Sequence, residues 1–116
     1  MLHSFPTRRS SDLGATARPS AIVAANDLVA LGVLDAAGAM GLSCPEDLSV
    51  IGFNDMAFID RLSPPLTSVR IDEYELGLRA ARLLLSLIED PSTKRKTEML
   101  APELVIRGST APPSLD

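Results

Sequence analysis

The sequence predicts an α/β fold built on a parallel sheet. Two short apolar runs with β-branched residues, at 21–24 and 48–53, are typical of strands that are buried in such a sheet. A segment with helical periodicity lies between them. Since strand, helix and strand come directly one after another, we expect a right-handed parallel βαβ unit.

The first helix is predicted to begin at the Asn26-Asp27 pair and to end at Gly41. Asn and Asp are both favoured at helix N-termini, and an acidic side chain there suits the helix dipole. The apolar residues of this helix form two stripes. One stripe consists of Val29, Val33, Ala36 and Met40, and the other of Leu28, Leu31 and Leu34. A helix that is apolar on two sides has to be buried on both, so we expect one side to lie on the sheet and the other to need a partner.

Further strands are predicted in the second half of the chain. A loop from residue 54 ends in Pro64-Pro65, which excludes regular helix or a central strand there. The alternation of polar and apolar residues at 67–71 is typical of a third strand. Two short final strands are predicted at 98–100 and 103–107, on either side of a proline.

A second, longer helix is predicted to begin after Asp72 and to end before Pro91. Asp72 forms a capping-box pattern with Glu75 three residues later. Glu75 and Arg79 are spaced for an i,i+4 ion pair within one narrow polar stripe. The rest of the helix is apolar, so it presents a wide surface that needs a cover.

The composition is that of a globular domain without a disulfide framework. Of the 116 residues, 46% are hydrophobic and 22% are charged, and Cys44 is the single cysteine. The formal net charge of −4 argues against a surface that itself clamps a phosphate backbone. No apolar run approaches the roughly 20 residues that a membrane helix needs. We therefore expect no membrane partner. We also expect a cytoplasmic protein, because a single cysteine without a disulfide partner fits a reducing compartment.

The first thirteen residues match nothing in the rest of the chain. Residues 3–13 resemble the translation of a sequencing adapter, so we interpret 1–13 as a non-native, disordered leader and 14–116 as the native part. The only histidine, His3, lies in this leader. Without His3 the chain lacks the residue that usually serves as a general base at neutral pH. The sequence also contains no glycine-rich loop of the kind that binds phosphate and no cluster of metal-ligating residues. The sequence therefore predicts no enzyme, no metal site and no cofactor.

Four stretches, taken in order, carry a family resemblance. They are ANDLVALG at 25–32, PEDLSVIGFND at 45–55, PPLTSV at 64–69 and PELVIRGST at 102–110. Together they resemble the C-terminal part of LacI/GalR-type bacterial transcription regulators. The resemblance covers nearly everything from Pro19 to Pro113.

The resemblance implies a periplasmic-binding-protein-like fold, in which two α/β subdomains close on a small effector. It implies that 14–116 is the C-terminal fragment of an effector-binding and dimerisation domain. The helix-turn-helix head and most of the first subdomain would then be absent, and the second helix would be a crossover helix that belongs with the absent subdomain. DNA would be contacted only through the absent head.

Two polar pairs are the candidate ligand-binding residues. Asn26-Asp27 comes after the first strand and Asn54-Asp55 after the second, and ligands of open parallel sheets bind beyond the carboxyl ends of the strands. Amides and carboxylates suit a small polyol because each bonds two neighbouring hydroxyls. Phe53 is a further candidate, since its ring is able to stack on a sugar.

Each of these candidates also has a structural interpretation. Helix capping explains Asn26 as well as ligand contact does, and it explains Asp27 better. An Asx-turn is the alternative for Asn54, a structural role is favoured for Asp55, and core packing is favoured for Phe53. The family often has an aspartate at the position of Asn54, so this departure leaves the identity of the effector open.

The function predicted from the resemblance is that of a repressor that senses a sugar or related polyol. The same resemblance implies a homodimer, with Leu31 and Leu62 at the subunit interface. The alternative is a periplasmic sugar-binding protein of a transport system, whose sheet and cleft would look alike. A helix-turn-helix or a signal peptide upstream would discriminate between the two.

Overall fold

A computed structural model describes residues 18–114, so the predicted leader at 1–13 lies outside the described residues. The elements in chain order are β1 (Ala21–Val23), α1 (Asp27–Ala39), β2 (Ser49–Phe53), β3 (Thr67–Arg70), α2 (Glu73–Glu89) and β4 (Glu103–Val105), with a short 3-10 helix at Ile59–Arg61. The sheet has the order β1-β2-β3-β4. Its first three strands are parallel and β4 is antiparallel to β3, which confirms the α/β class and the βαβ unit.

The register of the parallel strands brings their carboxyl ends to one edge of the sheet. Val23 lies opposite Ile51 in β2, and Phe53 lies opposite Val69 in β3. The prediction of a strand at 98–100 is wrong, whereas part of the strand predicted at 103–107 forms. The reason is the register of β4: its first residue, Glu103, already pairs with Arg70, the last residue of β3. Residues before Glu103 therefore extend beyond the end of β3.

The core lies between α1 and one face of the sheet. Its buried apolar residues are Ala24, Ala30, Ala37, Leu48, Val50, Ile59 and Leu66. Two of the four alanines of α1, Ala30 and Ala37, are buried on the sheet, with Val33 and Leu34 packed beside them. Large residues of both predicted stripes stay open to solvent, as Leu28 is 58% exposed and Val29 48% exposed. The buried face of α1 thus falls between the two stripes, because only small side chains allow the helix to approach β2 closely.

None of the side chains of α2 is buried. The helix begins as predicted, with the Asp72 carboxylate accepting a hydrogen bond from the Glu75 N–H at 2.9 Å. The predicted ion pair also forms, since Arg79 Nε donates to Glu75 Oε1 at 2.6 Å. The apolar side is open: Leu84 is 59% exposed and Ile88 65% exposed. Such a surface has the pattern of a helix that packs on further protein.

The segment after β4 fastens the amino ends of β2 and β3. The Ser109 hydroxyl is buried between them, accepting from the Thr67 N–H at 2.8 Å and donating to the Val50 carbonyl at 2.6 Å. Ser49 and Ala111 exchange a second pair of hydrogen bonds. The end of the PELVIRGST stretch therefore holds the sheet together at the edge opposite to the carboxyl ends of the parallel strands. Within residues 18–114, no helix has the length and apolar character needed to cross a membrane.

Candidate functional site

The two asparagines of the chain lie at the same edge of the sheet. Asn26 comes after β1 and Asn54 after β2, and these two strands are parallel neighbours. Both residues are half-buried. The carboxyl edge of a parallel sheet is where such folds bind ligands, so the topology brings both amides to the expected side.

Asn26 is the N-cap of α1. Its backbone is extended, with φ −158° and ψ 176°, and its Oδ1 accepts a hydrogen bond from the Val29 N–H at 2.9 Å. Helix capping therefore accounts for the side-chain oxygen of Asn26. The amide nitrogen of the same side chain is a second group with two donors. Ligand contact through that nitrogen stays a prediction.

Asp27 is fully buried, at 0% exposure. Its Oδ2 accepts a hydrogen bond from the Met56 N–H, and its Oδ1 accepts one from the Ser68 hydroxyl, each at 2.7 Å. Gly52 leaves the space for this carboxylate, because a Cβ at that position would collide with it. Since protein groups occupy both oxygens, the geometry supports the structural role of Asp27 and not the direct ligand contact.

The 54–56 turn, formed by Asn54, Asp55 and Met56, has an unusual backbone. Asn54 has φ 98° and Asp55 has φ 54°. Positive φ is tolerated mainly by Gly, Asn and Asp, which explains why these residue types come after β2. The Asn54 N–H donates to the Val69 carbonyl at 2.9 Å, and the Asp55 N–H donates to the Ser68 hydroxyl at 3.1 Å. The turn is therefore held from β3 as well as from α1.

Asp55 is the centre of an ion-pair cluster. Arg70 Nε donates to its Oδ2 at 2.7 Å, and Arg107 Nη2 lies 2.7 Å from its Oδ1. The Asp55 side chain is only 8% exposed. Burial by itself raises the pKa of this carboxyl, but the hydrogen bond from Arg70 and the positive charges of Arg70 and Arg107 outweigh it and hold the pKa below its ordinary value. This geometry supports the structural role that the sequence favoured for Asp55.

Phe53 lies on the sheet face that is turned away from α1. Its neighbour Gly52 contacts Asp27 of α1, and side chains alternate between the faces of a strand. Phe53 is half-buried, and the cluster of buried apolar residues does not include it. Core packing against α1 therefore does not account for this ring, and stacking on a sugar stays a prediction.

The two residues predicted at a subunit interface lie in different surroundings. Leu31 is a half-buried residue of α1. Leu62 lies directly after the 3-10 helix and packs against the core cluster. Contact of either residue with a second subunit stays a prediction.

Sequence reasoning missed three residues that organise this edge: Ser68, Arg70 and Arg107. In the sequence Arg107 stands out only as part of a family stretch, yet its guanidinium pairs with Asp55 and donates to the Leu66 carbonyl at 2.8 Å. Ser68 is fully buried in a strand. A hydroxyl residue on the helix-facing side of a predicted strand was the one signal for it, since such a group needs a buried partner.

Other features of the described chain lie away from this edge. A cavity of about 330 Å³ lies between α2 and the basic loop at 93–96. No group of three or more His, Cys, Asp or Glu residues within 18–114 is arranged to hold a metal ion. Burial raises the pKa of the Cys44 thiol, which disfavours the reactive thiolate.

The fold and the strand-end site define a class of protein. The family model of the periplasmic binding protein-like domain matches residues 2–110 of the chain. The chain therefore belongs to this family.

Relatives within the family are LacI-type transcription regulators. The chain is 42% identical over 91 residues to the HTH-type transcriptional repressor PurR of Pasteurella multocida. The match covers 78% of this chain and 27% of that repressor. It is 44% identical over 92 residues to the HTH-type transcriptional regulator MalR of Streptomyces coelicolor, which covers 79% of this chain and 27% of that regulator. The chain thus spans about a quarter of the length of these relatives.

Solved structures agree with this assignment. The LacI family transcriptional regulator from Enterococcus faecium, with bound ribose, matches with a TM-score of 0.78 and 31% identity over 90% of this chain and 39% of its own. The lac repressor dimer bound to operator and the anti-inducer ONPF matches with a TM-score of 0.72 and 35% identity over 79% of this chain and 32% of its own. The LacI-type resemblance and the periplasmic-binding-protein-like fold are both confirmed.

Proposed function

We propose that the chain supplies part of the effector cleft and of the dimer surface of a sugar-responsive transcriptional repressor. The observation that carries this proposal is the position of Asn26 and Asn54 at the carboxyl ends of adjacent parallel strands. The regulator relatives favour this function over the transport alternative. Because those relatives are much longer, a second subdomain would supply the opposite wall of the cleft, and a separate head would contact DNA.

The effector is a sugar or related polyol in this proposal. Asn54 is the central contact, since its backbone N–H is used by Val69 and its amide side chain carries both donors and an acceptor. Asn26 contributes the nitrogen of an amide whose oxygen caps α1. Phe53 offers a ring beside Asn54 for stacking on the sugar.

The remaining properties of the proposed repressor are those of its class. Binding of the effector would favour one closure state of the two subdomains and so change the spacing of the DNA heads. The protein would be cytoplasmic, without enzymatic activity, metal or cofactor, and DNA would be its partner only through the head.

A graft provides the test of effector binding. Residues 18–114 replace the matching segment of the Enterococcus faecium regulator, whose structure contains ribose. Ribose and a panel of pentoses, hexoses and disaccharides are titrated by calorimetry. We expect one of these sugars to bind, and Asn54→Ala to weaken its affinity about tenfold or more, because a buried sugar hydroxyl loses its partner.

The control is Asp35→Asn, which changes an exposed residue of α1. It should leave the affinity unchanged. A folded graft that binds no sugar of the panel, or an Asn54→Ala variant with unchanged affinity, would contradict the proposed function.

The dimer surface is proposed to be the open side of α1 together with the loop after the 3-10 helix. Leu28 and Val29 expose large apolar areas there, beside the half-buried Leu31. Leu31→Glu in the graft should shift the dimer to a monomer in analytical ultracentrifugation, whereas Glu46→Gln, an exposed position in the turn before β2, should not. Leu62 is unsuitable for this test because it also packs on the core. A Leu31→Glu protein that stays dimeric would remove Leu31 from the interface.

A further inference from the structure

Asp27 makes its two side-chain hydrogen bonds outside its own helix. The capping of α1 is done by its neighbour Asn26, whose Oδ1 accepts from the Val29 N–H. The Asp27 oxygens accept instead from Met56 and Ser68, which belong to the 54–56 turn and to β3. A carboxylate that only served its helix would bond the first N–H groups of that helix.

Ser68 extends the same network to the next residue of the turn. Its hydroxyl donates to Asp27 at 2.7 Å and accepts from the Asp55 N–H at 3.1 Å. Asp27 and Ser68 are both 0% exposed. Two consecutive N–H groups of the turn, those of Asp55 and Met56, are therefore held by buried side chains from two different elements.

The backbone of the turn needs such support. Asn54 and Asp55 both have positive φ. Each non-glycine residue in such a conformation costs on the order of 1–3 kcal/mol and persists where the surroundings fix it. Hydrogen bonds at Asn54, Asp55 and Met56 fix three successive amides, and so the direction in which the Asn54 side chain leaves the backbone.

We propose that Asp27 and Ser68 are positioning residues for the effector contact: by bonding the backbone of Asp55 and Met56, they hold the Asn54 amide toward the sugar. This inference rests on the proposed function of Asn54. It gives the buried carboxylate of Asp27 a role that neither capping nor direct ligand contact describes.

Amide hydrogen exchange in the full 116-residue chain tests the positioning directly. Ser68→Ala removes the hydroxyl from both bonds with little change in volume, and Asp27→Asn is the second variant, since it keeps the shape but replaces one acceptor by a donor. We expect the amides of Asp55 and Met56 to exchange about tenfold faster in each variant, with Ala30 and Leu31 of α1 unchanged.

Ser49→Ala is the matched control. Ser49 is also a buried serine at a strand position, but its hydroxyl bonds Ala111 at the amino end of the sheet. It should leave the exchange of Asp55 and Met56 unchanged. In the graft, Ser68→Ala should weaken sugar affinity about tenfold at a temperature where the protein is folded, whereas Ser49→Ala should not.

Three results would overturn the inference. Unchanged exchange at Asp55 and Met56 in both variants would show that these bonds do not hold the turn. An equal increase throughout α1 would assign the two residues to general stability. Faster exchange in the turn with unaltered sugar affinity in the Ser68→Ala graft would separate the turn from binding. A graft that binds no sugar at all contradicts the proposed function and with it the role in effector contact, whereas faster exchange at Asp55 and Met56 would still show that Asp27 and Ser68 hold the turn.

Discussion

The same dipeptide, Asn-Asp, stands at the ends of β1 and β2, and the two copies are used in opposite ways. After β1, Asn26 has an extended backbone and caps α1, while Asp27 is buried among neutral hydrogen-bond donors. After β2, Asn54 and Asp55 have positive φ, and Asp55 is paired with two arginines. The difference arises from the next segment of the chain, since a helix begins at Asp27 whereas Asp55 leads into a loop.

The two pairs also depend on each other. The first pair reaches into the second through Asp27, whose Oδ2 accepts from the Met56 N–H. The second pair is linked through Asp55 to Arg107, which follows β4 and also donates to the Leu66 carbonyl. The identity of a dipeptide therefore does not determine its role, because backbone conformation and charged neighbours decide which atoms are left for a ligand.

Gly52→Ala should have the largest effect, because it displaces Asp27, the aspartate of the first pair, from its buried position. The new Cβ would collide with the Asp27 carboxylate and lie 2.9 Å from Leu66 Cδ2. Overpacking and the loss of buried hydrogen bonds together should lower the free energy of unfolding by about 3 kcal/mol. Urea unfolding followed by circular dichroism measures this change.

Gly38→Ala is the control for that substitution. Gly38 lies in α1, and nothing lies within 4 Å of a Cβ built there. Alanine in an open helical position should stabilise the protein by about 0.5–1 kcal/mol. If both alanine variants were equally stable, Gly52 would not be the residue that makes room for Asp27.

Arg107→Met should have the next largest effect, on the second pair. Arg107 is 17% exposed and pairs with the nearly buried Asp55, so its removal leaves a poorly solvated charge. We expect a loss of about 2 kcal/mol, because breaking a partly buried ion pair costs less than breaking a fully buried one. Arg70→Met should cost less, since Arg70 is 48% exposed. Equal costs in urea unfolding would contradict this ranking.

The pH dependence of stability should distinguish the two aspartates further. The pKa of Asp55 is lowered in the folded protein, so this group stabilises the fold above its unfolded pKa of about 3.9 and loses that contribution as the pH falls below it. Asp55→Asn should therefore be less stable than the unsubstituted chain at pH 6, and the difference should shrink toward about pH 3. Urea unfolding at several pH values checks this, and a gap that widens on acidification would contradict it.

Most of the fold was predictable because it depends on local patterns. The apolar runs and caps of β1, α1, β2, β3 and α2 are all present in the sequence within a few residues of their observed bounds. The sequence could not show that residues 98–100 form no strand, since this depends on where β3 ends opposite β4. The buried face of α1 was also missed: periodicity identifies large apolar stripes, whereas contact with β2 selects Ala30 and Ala37.

The candidate site was predictable only in part. The sequence places Asn26 and Asn54 at neighbouring strand ends, because parallel strands share an edge. It did not assign Arg107 to Asp55, since the two partners lie far apart along the chain and only the sheet brings them together. Nor does it predict that both oxygens of Asp27 bond segments far along the chain.

The smallest effect gives the sharpest comparison of the two pairs, because one substitution is made at both asparagines. Asn→Gly adds a similar entropy to the unfolded chain at either position. At Asn26 it also removes the cap to Val29, so it should destabilise by a few tenths of a kcal/mol. At Asn54 it relieves a φ of 98°, which should outweigh the entropy and stabilise by about 0.5 kcal/mol. Urea unfolding measures the change in the free energy of unfolding for each variant. Changes of opposite sign would show that the two asparagines differ in backbone conformation, and changes of the same sign would refute it. Asn54→Gly should also lose sugar affinity in the graft while gaining stability, because the residue with the strained backbone is also the one whose amide we propose as the effector contact.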